Sequence, residues 1–405
     1  MNRPALTPIE EALRHILQQV QIKGATEVVA LDSALQRILA GPVKAGIDVP
    51  AYDNSAMDGF AVNVRDIKQK GSTLPLSQTI TAGKVGNKLE PGTAARIFTG
   101  APIPAGADAV ILQENAEYND REASFLVLPE SGQNIRLRGH DIRLGEEVLQ
   151  QGHLLEAQDM GLLASLGLTE IDVYRPLKIA ILNTGDELVA PGQALKPGQI
   201  YESNSHTLHA LLNKMGMKTL RADIVKDDRQ STRQALLQAA GEADCIISSG
   251  GVSVGDADYV KDVVNELGEL SLWKLAIKPG KPFSFGKVAD CPFFGLPGNP
   301  VAVFVTFLLL VKPYLLKMQG ANKFTPMSFQ LPAGFDTVEA GSRQEYLRVR
   351  LQCNAQGVQE LRPFPDQGSS VMTSTSWAEG LAVVPVKKIV NKGDLLHFLP
   401  FKGLL

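Results

Sequence analysis

Residues 244–259 read DCIISSGGVSVGDADY, an apolar run that leads directly into a loop of glycines, serines and two carboxylates. The run predicts a strand over 244–249, and the residues after the loop predict a helix near 257–267. A strand, a polar loop and a helix in close succession form the repeating unit of α/β proteins. The sequence on both sides of this stretch repeats that unit.

The repeats extend from about residue 176 to about residue 318. Further strands are predicted at 177–183, 220–225, 293–296 and in the runs around 272–287, and further helices near 204–215, 229–240 and 300–318. Alternation at this spacing predicts an α/β fold built on a doubly wound, mainly parallel sheet.

The segments that flank this region have a different pattern of apolar residues. Residues 8–20 have helical spacing of apolar side chains and begin with Thr7-Pro8-Ile9-Glu10, a pattern typical of a capping box with proline at the first helical position. A second short helix is predicted around 32–40 and a third over 157–165. Short strands interrupted by glycine and proline are predicted from about 50 to 140 and again beyond Gly320.

These changes of pattern along the chain predict a multidomain α/β protein. A length of 405 residues, which is long for one hydrophobic core, agrees with this. The predicted parts are an α/β domain (1–20 and 176–322), a linker domain with helical segments (21–45 and 141–175), a β-rich insert domain (46–140) and a small C-terminal β-barrel-like domain (323–405).

Composition argues against several classes of protein. The net charge of -3 provides no electrostatic footprint for nucleic acid. The apolar run 301–311 is too short to cross a bilayer and is predicted to be a buried helix. The three cysteines lack CxxC spacing and indicate neither a disulfide framework nor a zinc site. With an N-terminus unlike a signal peptide, they predict a protein of the reducing cytoplasm.

The loops at the carboxyl ends of the predicted strands are the candidates for a ligand site, because open α/β sheets bind ligands there. Three are unusual, NTGDEL at 183–188, SSGGVSVGD at 248–256 and GLPGNP at 295–300. Glycines let backbone N–H groups approach an anion, and a helix start adds its positive dipole end. The second loop therefore indicates either an oxyanion site or a tight turn with an acidic N-cap. It is neither a GxGxxG nor a Walker A motif.

Charged side chains near these loops strengthen the oxyanion hypothesis. Lys278 and Lys281 in KPGKP place two cations on one turn, which suits a multiply charged anion, although a solvated β-turn is the alternative. Four carboxylates could hold Mg²⁺ through oxygen ligands, namely Asp186, Glu187, Asp256 and Asp258. This combination is typical of phosphoanhydride chemistry. Asp227 follows another strand and could contact the ligand, and its neighbour Asp228 is a predicted helix N-cap.

Other catalytic arrangements find little support. The six histidines form no metal-binding motif, and the chain has no GxSxG element for covalent acyl chemistry.

Five long motifs, in order along the chain, resemble the MoeA family of molybdopterin molybdenumtransferases, which includes the C-terminal enzyme domain of gephyrin. They are DNSAMDGFAV (53–62), NTGDEL (183–188), SSGGVSVGDADY (248–259), KPGKPF (278–283) and GLPGNPVAV (295–303). The resemblance runs nearly end to end. It implies an enzyme that inserts molybdate into adenylylated molybdopterin, uses Mg²⁺ and releases AMP.

The resemblance also implies an architecture and a division of roles. Family members are elongated homodimers of four domains whose cleft takes residues from both subunits, so the β-rich insert would reach across to the partner. The AMP-pterin phosphates would bind along the loops at Thr184, Gly185, Ser249, Gly250, Gly251, Ser253 and Gly255. Molybdate would bind at Lys278, Lys281, Arg348 and Ser369.

Further positions match the family's motifs residue by residue. The matching catalytic positions are Asp58, Glu187, Asp227, Asp258, Lys274 and Lys278. Further substrate-binding positions are Thr99, Asp141, Pro297 and Pro300. The metal would be held by the four carboxylates named above, chiefly Glu187 and Asp258. The C-terminal region departs most from the family, with Ala378-Glu379 where members often have Ala-Asn.

Two other functions remain open at this point. The α/β region also resembles the small proteins that adenylylate molybdopterin, although those lack the insert and the C-terminal β domain. Gephyrin's related domain acts as a scaffold, although this chain has no long linker. The pathway's adenylyltransferase is a further expected, transient partner.

Overall fold

The computed structural model of the chain describes residues 6–251, 259–337 and 341–404. The chain forms two compact units. The larger comprises Met1–Ala40, Gln151–Glu156 and Ile171–Leu405, and the smaller comprises Gly41–Gln150 and Ala157–Glu170. The finer division into four domains stays a prediction.

The centre of the larger unit is a six-stranded sheet, hereafter the central sheet. Its strands, in spatial order, are Lys218–Val225, Lys178–Thr184, Cys245–Ser249, Cys291–Leu296, Pro282–Val288 and Gly268–Lys274. The first four are parallel, and the last two are antiparallel additions. The prediction of a mainly parallel sheet is therefore confirmed.

Helices cover both faces of the central sheet. Along the strand Lys178–Thr184, Ile179 and Ile181 belong to one core cluster and Ala180 and Leu182 to another, as the two-residue period of a strand requires. The first cluster includes side chains of helices Ile9–Gln18, Asn204–Lys214, Pro300–Thr306 and Lys312–Met318. The second includes side chains of helices Arg229–Glu242 and Tyr259–Leu267. The sheet is thus doubly wound.

The apolar segment Pro300–Met318 is a helix with a π-helical turn at Phe307–Val311. It is the one helix in the described ranges that is long and apolar enough to span a membrane. In this structure 83% of its most apolar 18-residue stretch is buried inside the protein, so the prediction of a buried helix is confirmed.

A second sheet of the larger unit, the C-terminal sheet, consists mainly of residues beyond 328. Its path runs Ile277–Lys278, Gln344–Cys353, Gly380–Val384, Leu395–Pro400 and Phe329–Pro332, and Gln359–Pro363 also pairs with Gln344–Cys353. The two-residue strand Ile277–Lys278 comes from the turn between two strands of the central sheet and pairs in parallel with Gln344 and Glu345. The helices Met372–Trp377 and Phe401–Leu404, which the sequence did not predict, complete this region.

The larger unit also has two small strand pairs. Thr26–Ala30 pairs with Glu170–Tyr174, whose first residue belongs to the smaller unit, and Leu188–Val189 pairs with Ile200–Tyr201.

The smaller unit is rich in strands, as predicted. Its six-stranded sheet has the spatial order Ala109–Leu112, Gly59–Val62, Ala94–Ile97, Ser72–Ile80, Glu122–Phe125 and Ala116–Tyr118. Two short pairs, Ile135–Arg136 with Asn54–Ser55 and Glu147–Leu149 with Val43–Lys44, and the helix Ala157–Ser165 complete it.

Two local predictions near the N-terminus are wrong. The first helix has Pro8 as its N-cap, with no side-chain hydrogen bond at the cap, so Thr7 does not form a capping box. Thr7 instead exchanges backbone hydrogen bonds with Lys274 and Ala276. The helix expected around 32–40 is only a 3₁₀ turn at Leu31–Ser33, because the backbone of residues 36–40 bonds to residues 153–155 and 172.

Candidate functional site

Four strands of the central sheet end side by side. In the register of the parallel pairs, Thr184 lies opposite Val225, Asn183 opposite Ser249, and Ser249 opposite Leu296. The loops that follow these strands therefore leave the sheet at one edge. These are the loops in which the sequence placed the candidate residues.

A cavity of about 1080 Å³ lies at this edge, within the larger unit. It is lined from the strand ends, from the turn 278–282, from 297–302 and from the C-terminal residues 343 and 367–370. The predicted site residues that line it are Thr184, Gly185, Glu187, Asp227, Ser249, Gly250, Gly251, Lys278, Lys281, Pro297, Pro300 and Ser369.

The glycines of the central loop pack closely against the neighbouring strand end. Gly250 and Gly251 have φ values of 86° and 66°, in the left-handed region that favours glycine. A Cβ atom on Gly250 would lie 2.8 Å from the carbonyl oxygen of Thr184, and one on Gly251 would lie 2.5 Å from Cγ2 of Val260. Larger side chains are thus excluded from this part of the rim. Ser253, Gly255, Asp256 and Asp258 lie outside the described residues.

Acidic side chains cluster at the rim beside these glycines. Glu187 and Asp227 line the cavity, whereas Asp186 does not. Burial, followed by the negative charges of Asp186, Glu187 and Asp228, raises the pKa of Asp227 above its ordinary value. The side chain of Asp228 accepts hydrogen bonds from Ser231 and caps the helix Arg229–Glu242, as predicted.

The acidic cluster is the part of the cavity suited to a metal ion. Within 6–251, 259–337 and 341–404, no three His, Cys, Asp or Glu side chains converge tightly enough to hold a metal alone. However, Mg²⁺ commonly takes one or two protein carboxylates and completes its shell with phosphate oxygens and water. The mutual repulsion at Asp227 is the kind that a bound cation relieves. Glu187 and Asp227 therefore fit such an ion.

Cationic side chains approach the cavity from the turn 278–281 and from the C-terminal sheet. Lys278, Lys281 and Arg343 line it. Lys278 Nζ lies 3.2 Å from a carboxylate oxygen of Glu345, and Arg343 Nη1 donates to the carbonyl of Ile277 at 3.2 Å. The cavity thus has an acidic rim, which suits a cation, and a basic turn, which suits an anion.

The C-terminal loop 367–370 is fastened on both sides. Asn299 donates to the hydroxyl of Ser369 at 3.0 Å, and the backbone N–H of Val301 donates to the carbonyl of Ser369 at 3.0 Å. On the other side, Gln367 bonds with both its amide oxygen and its amide nitrogen to the backbone of Arg348. Ser369 is therefore held in the cavity wall beside the GLPGNP loop.

The structure does not place Arg348 in the cavity wall. Its side chain is 1% exposed and donates to Oγ of Ser374 and to the carbonyl of Gly368, each at 3.0 Å. Burial lowers the pKa of Arg348 to about 10. In this structure Arg348 supports the loop that carries Ser369, and its predicted role as an oxyanion contact stays a prediction. Lys274 also does not line the cavity, and its carbonyl accepts a hydrogen bond from Thr7.

Three predicted residues lie in the smaller unit. Thr99 donates from its backbone N–H and its hydroxyl to one carboxylate oxygen of Asp58, at 2.8 and 2.9 Å. These two bonds lower the pKa of Asp58 below its ordinary value. Asp141 is exposed. The structure therefore brings Asp58 and Thr99 together as a pair.

The sequence missed several residues of the cavity wall, including Tyr201, Glu202, Asn204, Arg343 and Gln367. Asn204 Nδ2 donates to Oγ of Ser249 at 2.7 Å and to the carbonyl of Gly298 at 2.8 Å, and so ties two rim loops together. Glu202 is buried and accepts hydrogen bonds from the backbone and hydroxyl of Ser205. The polar run Glu202-Ser203-Asn204 before a predicted helix was the available signal.

Comparison with known proteins gives matches along nearly the whole chain. Residues 7–167 match the MoeA N-terminal region (domain I and II), residues 180–317 a probable molybdopterin binding domain, and residues 330–401 the MoeA C-terminal region (domain IV). A molybdopterin molybdenumtransferase of Haemophilus influenzae is 39% identical over 98% of this chain and 99% of its own. One from Nostoc sp. is 34% identical over 95% of this chain and 90% of its own.

A solved structure is similar over the same length. The crystal structure of the molybdopterin biosynthesis moeA protein from Pyrococcus horikoshii OT3 is 29% identical and superposes with a TM-score of 0.85, covering 98% of this chain and 100% of that one.

Proposed function

Because this chain belongs to the MoeA family, we propose that it is a molybdopterin molybdenumtransferase that inserts molybdate into adenylylated molybdopterin and releases AMP. The observation that carries the proposal is a single cavity in which a basic turn, Lys278 and Lys281, faces an acidic rim, Glu187 and Asp227. The net reaction needs no oxidant or reductant. One water hydrolyses the phosphoanhydride bond, and one oxygen atom of molybdate leaves as water when two sulfur atoms replace it.

Lys278, Lys281 and Arg343 attract and orient the oxyanion, since three cations that line one cavity act together on a tetrahedral dianion. The hydroxyl of Ser369, held by Asn299, is positioned to donate to the same anion. Orientation of molybdate beside the nucleotide-linked substrate is the main contribution of these groups, because no covalent enzyme intermediate is required.

The rim glycines and Thr184 form the side that receives the phosphates of adenylylated molybdopterin. Gly250 and Gly251 keep this side open to close approach by phosphate oxygens, because they lack a Cβ atom. Asn204 fixes the spacing between the Ser249 and Gly298 loops. The phosphates are thereby held at a defined distance from the basic turn.

Glu187 and Asp227 are the cavity-lining residues that would hold Mg²⁺, together with Asp186 and with the sequence-predicted Asp256 and Asp258, which lie outside the described residues. When bound, Mg²⁺ neutralises charge on the phosphoanhydride. Removal of Mg²⁺ by a chelator is expected to stop AMP release, and AMP release that continues in excess chelator would contradict the metal requirement.

The test of the function is molybdate-dependent release of AMP from adenylylated molybdopterin. The double variant Lys278→Ala, Lys281→Ala should require much more molybdate for half-maximal rate. Lys287→Ala, which removes a lysine from the same hairpin outside the cavity, is the matched control and should behave as the wild type. An unchanged molybdate dependence in the double variant would move the oxyanion site elsewhere.

The alternative of adenylyl transfer is not favoured. The full-length relatives bear the transferase name, and the chain matches the family both before and after the α/β region. Incubation with ATP and molybdopterin in the absence of molybdate separates the two activities, since only an adenylyltransferase would consume ATP. No feature of the described residues specifically favours a scaffold function of the gephyrin type.

We further propose a cytoplasmic homodimer in which the partner copy supplies Asp58, Thr99 and Asp141. The close Asp58–Thr99 pair supports a shared role for these two residues. At a molybdate concentration too low for Lys278→Ala to turn over, mixing Asp58→Ala and Lys278→Ala with subunit exchange should restore about a quarter of wild-type activity, since half of the dimers are then mixed and each has one intact site. No recovery, with exchange verified, would place both residues in one subunit's site. Transient contact with the pathway's adenylyltransferase is proposed on the resemblance alone.

A further inference from the structure

The three cations of the cavity differ in their surroundings. In the described part of the chain, Lys278 has a carboxylate partner, Glu345, whereas Lys281 and Arg343 have no ion pair. The Lys278 Nζ atom and the Glu345 oxygen are 3.2 Å apart, and the two side chains are 46% and 23% exposed. A carboxylate therefore already occupies one side of the ammonium group that faces the oxyanion site.

Glu345 is fixed in this position by the backbone. Lys278 and Glu345 are cross-strand neighbours in the parallel pairing of Ile277–Lys278 with Gln344 and Glu345. The backbone N–H of Gln344 donates to the carbonyl of Ala276 at 2.8 Å, next to the paired residues. The carboxylate is also confined by Gly341, where an added Cβ atom would lie 2.9 Å from Oε1 of Glu345. The ion pair is thus part of the sheet and not an accidental surface contact.

Glu345 contacts the Lys278 ammonium group but does not itself line the cavity, so it acts on a bound oxyanion only through its charge. An oxyanion bound to Lys278 would share the ammonium group with the carboxylate of Glu345. The two negative groups would then lie about 6 Å apart, and at the intermediate dielectric of a protein surface their repulsion is substantial. The repulsion is proportional to the charge of the guest. It therefore acts twice as strongly on a dianion as on a monoanion.

We propose that Glu345 sets the affinity and the charge preference of the oxyanion site by acting as a counter-charge behind Lys278. In this role Glu345 weakens the binding of dianions, so that bound molybdate exchanges with solvent, and it is a specificity-determining residue that does not touch the substrate. The inference rests on the proposed function in one respect, namely that the cavity takes a tetrahedral oxyanion.

The test is calorimetric binding of molybdate, sulfate and perrhenate, each alone, to the full chain and to Glu345→Gln. Neutralising Glu345 should tighten the binding of the dianions molybdate and sulfate by about tenfold, and that of the monoanion perrhenate by only about threefold, since the repulsion scales with charge. Glu345→Asp, which keeps the charge, should stay close to wild type. Glu266→Gln, which breaks a surface ion pair with Arg229 and Arg233, is the matched control for net charge.

Each outcome supports or contradicts the proposed role of Glu345. Weaker or unchanged dianion binding in Glu345→Gln would overturn the inference, and an equal change for dianions and perrhenate would show that Glu345 only orients Lys278. Failure of the wild type to bind any of the three anions would instead count against the oxyanion site of the proposed function. Because the assay does not involve AMP release, the two failures are distinguishable.

Discussion

Replacement of Arg348 tests whether the buried guanidinium supports the cavity or contacts its ligand. Arg348→Met keeps a long side chain at this position but loses the hydrogen bonds of the guanidinium, at 3.0 Å to Ser374 and to the carbonyl of Gly368 and at 3.4 Å to the carbonyl of Tyr346. Hydrogen bonds from a charged donor contribute about 1.5–3 kcal/mol each, and methionine recovers part of this by packing. We therefore expect the free energy of unfolding of this region to fall by about 3 kcal/mol.

The assay follows the C-terminal region by itself, because a multidomain chain does not unfold in one step. The chain has two tryptophans, and Trp377 packs against Phe364 close to the Arg348 loop. In a Trp273→Phe background, fluorescence in a urea titration reports Trp377 alone. The matched control is Arg350→Met on the same strand, where an exposed arginine stacks on Trp377 and donates to its carbonyl oxygen. Because water can replace this exposed hydrogen bond, the expected loss is below about 1 kcal/mol.

One result would refute the reasoning. If Arg348→Met kept its stability within about 1 kcal/mol of the parent but lost molybdate binding, the guanidinium would be a direct ligand, as the family resemblance implied, and its support of the loop would be secondary. If instead stability falls and molybdate affinity falls with it, a revertant that restores the loop through a different contact should regain both.

Three further predictions concern single residues. Because the folded-state pKa of Asp227 is raised, its ionisation costs stability above the ordinary value of 3.8, so Asp227→Asn should raise the melting temperature of ligand-free, chelated protein at neutral pH but not below that value. Equal melting temperatures at neutral pH would contradict this. Gly251→Ala should destabilise the rim by more than about 1 kcal/mol through its positive φ and the contact with Val260, measured by thermal unfolding, and a stable variant would show that the loop relaxes. Thr99→Val should raise the pKa of Asp58 in an NMR titration while leaving it below 3.8, because the hydrogen bond from the backbone N–H remains. An unchanged pKa would show that the Thr99 hydroxyl does not stabilise the Asp58 carboxylate.

The central sheet was predictable because its signal is local. Three of the four parallel strands are short, mostly apolar runs that are buried on both faces and are followed within two residues by glycine, namely Lys178–Thr184, Cys245–Ser249 and Cys291–Leu296. The rule that ligands bind at the carboxyl ends of such strands then places Thr184, Ser249 and Pro297 in one cavity wall.

Sequence reasoning is weaker where distant segments decide the outcome. Arg348 carries a charge and matches a family motif, and its role as an oxyanion ligand stays a prediction. Its burial follows from the loop that folds over it, which no local pattern in its strand reveals. The same holds for Thr7, which bonds to the backbone of Lys274 and Ala276 and not to its own helix. Arg343 and Gln367 enter the cavity through the C-terminal sheet and loop, and their distance along the chain from the rim motifs hid them from sequence reasoning.

The strand Ile277–Lys278 has a consequence for any attempt to express the parts of this protein separately. It leaves the central sheet between Lys274 and Pro282 and supplies the parallel partner of Gln344 and Glu345. A fragment that begins after residue 323 would lack that partner and present an open strand edge, which invites aggregation. Conversely, a chain truncated before Gln344 would leave the turn 278–281 without the strand that pairs with Ile277–Lys278. The C-terminal segment is therefore better regarded as an extension of the α/β region than as an exchangeable module.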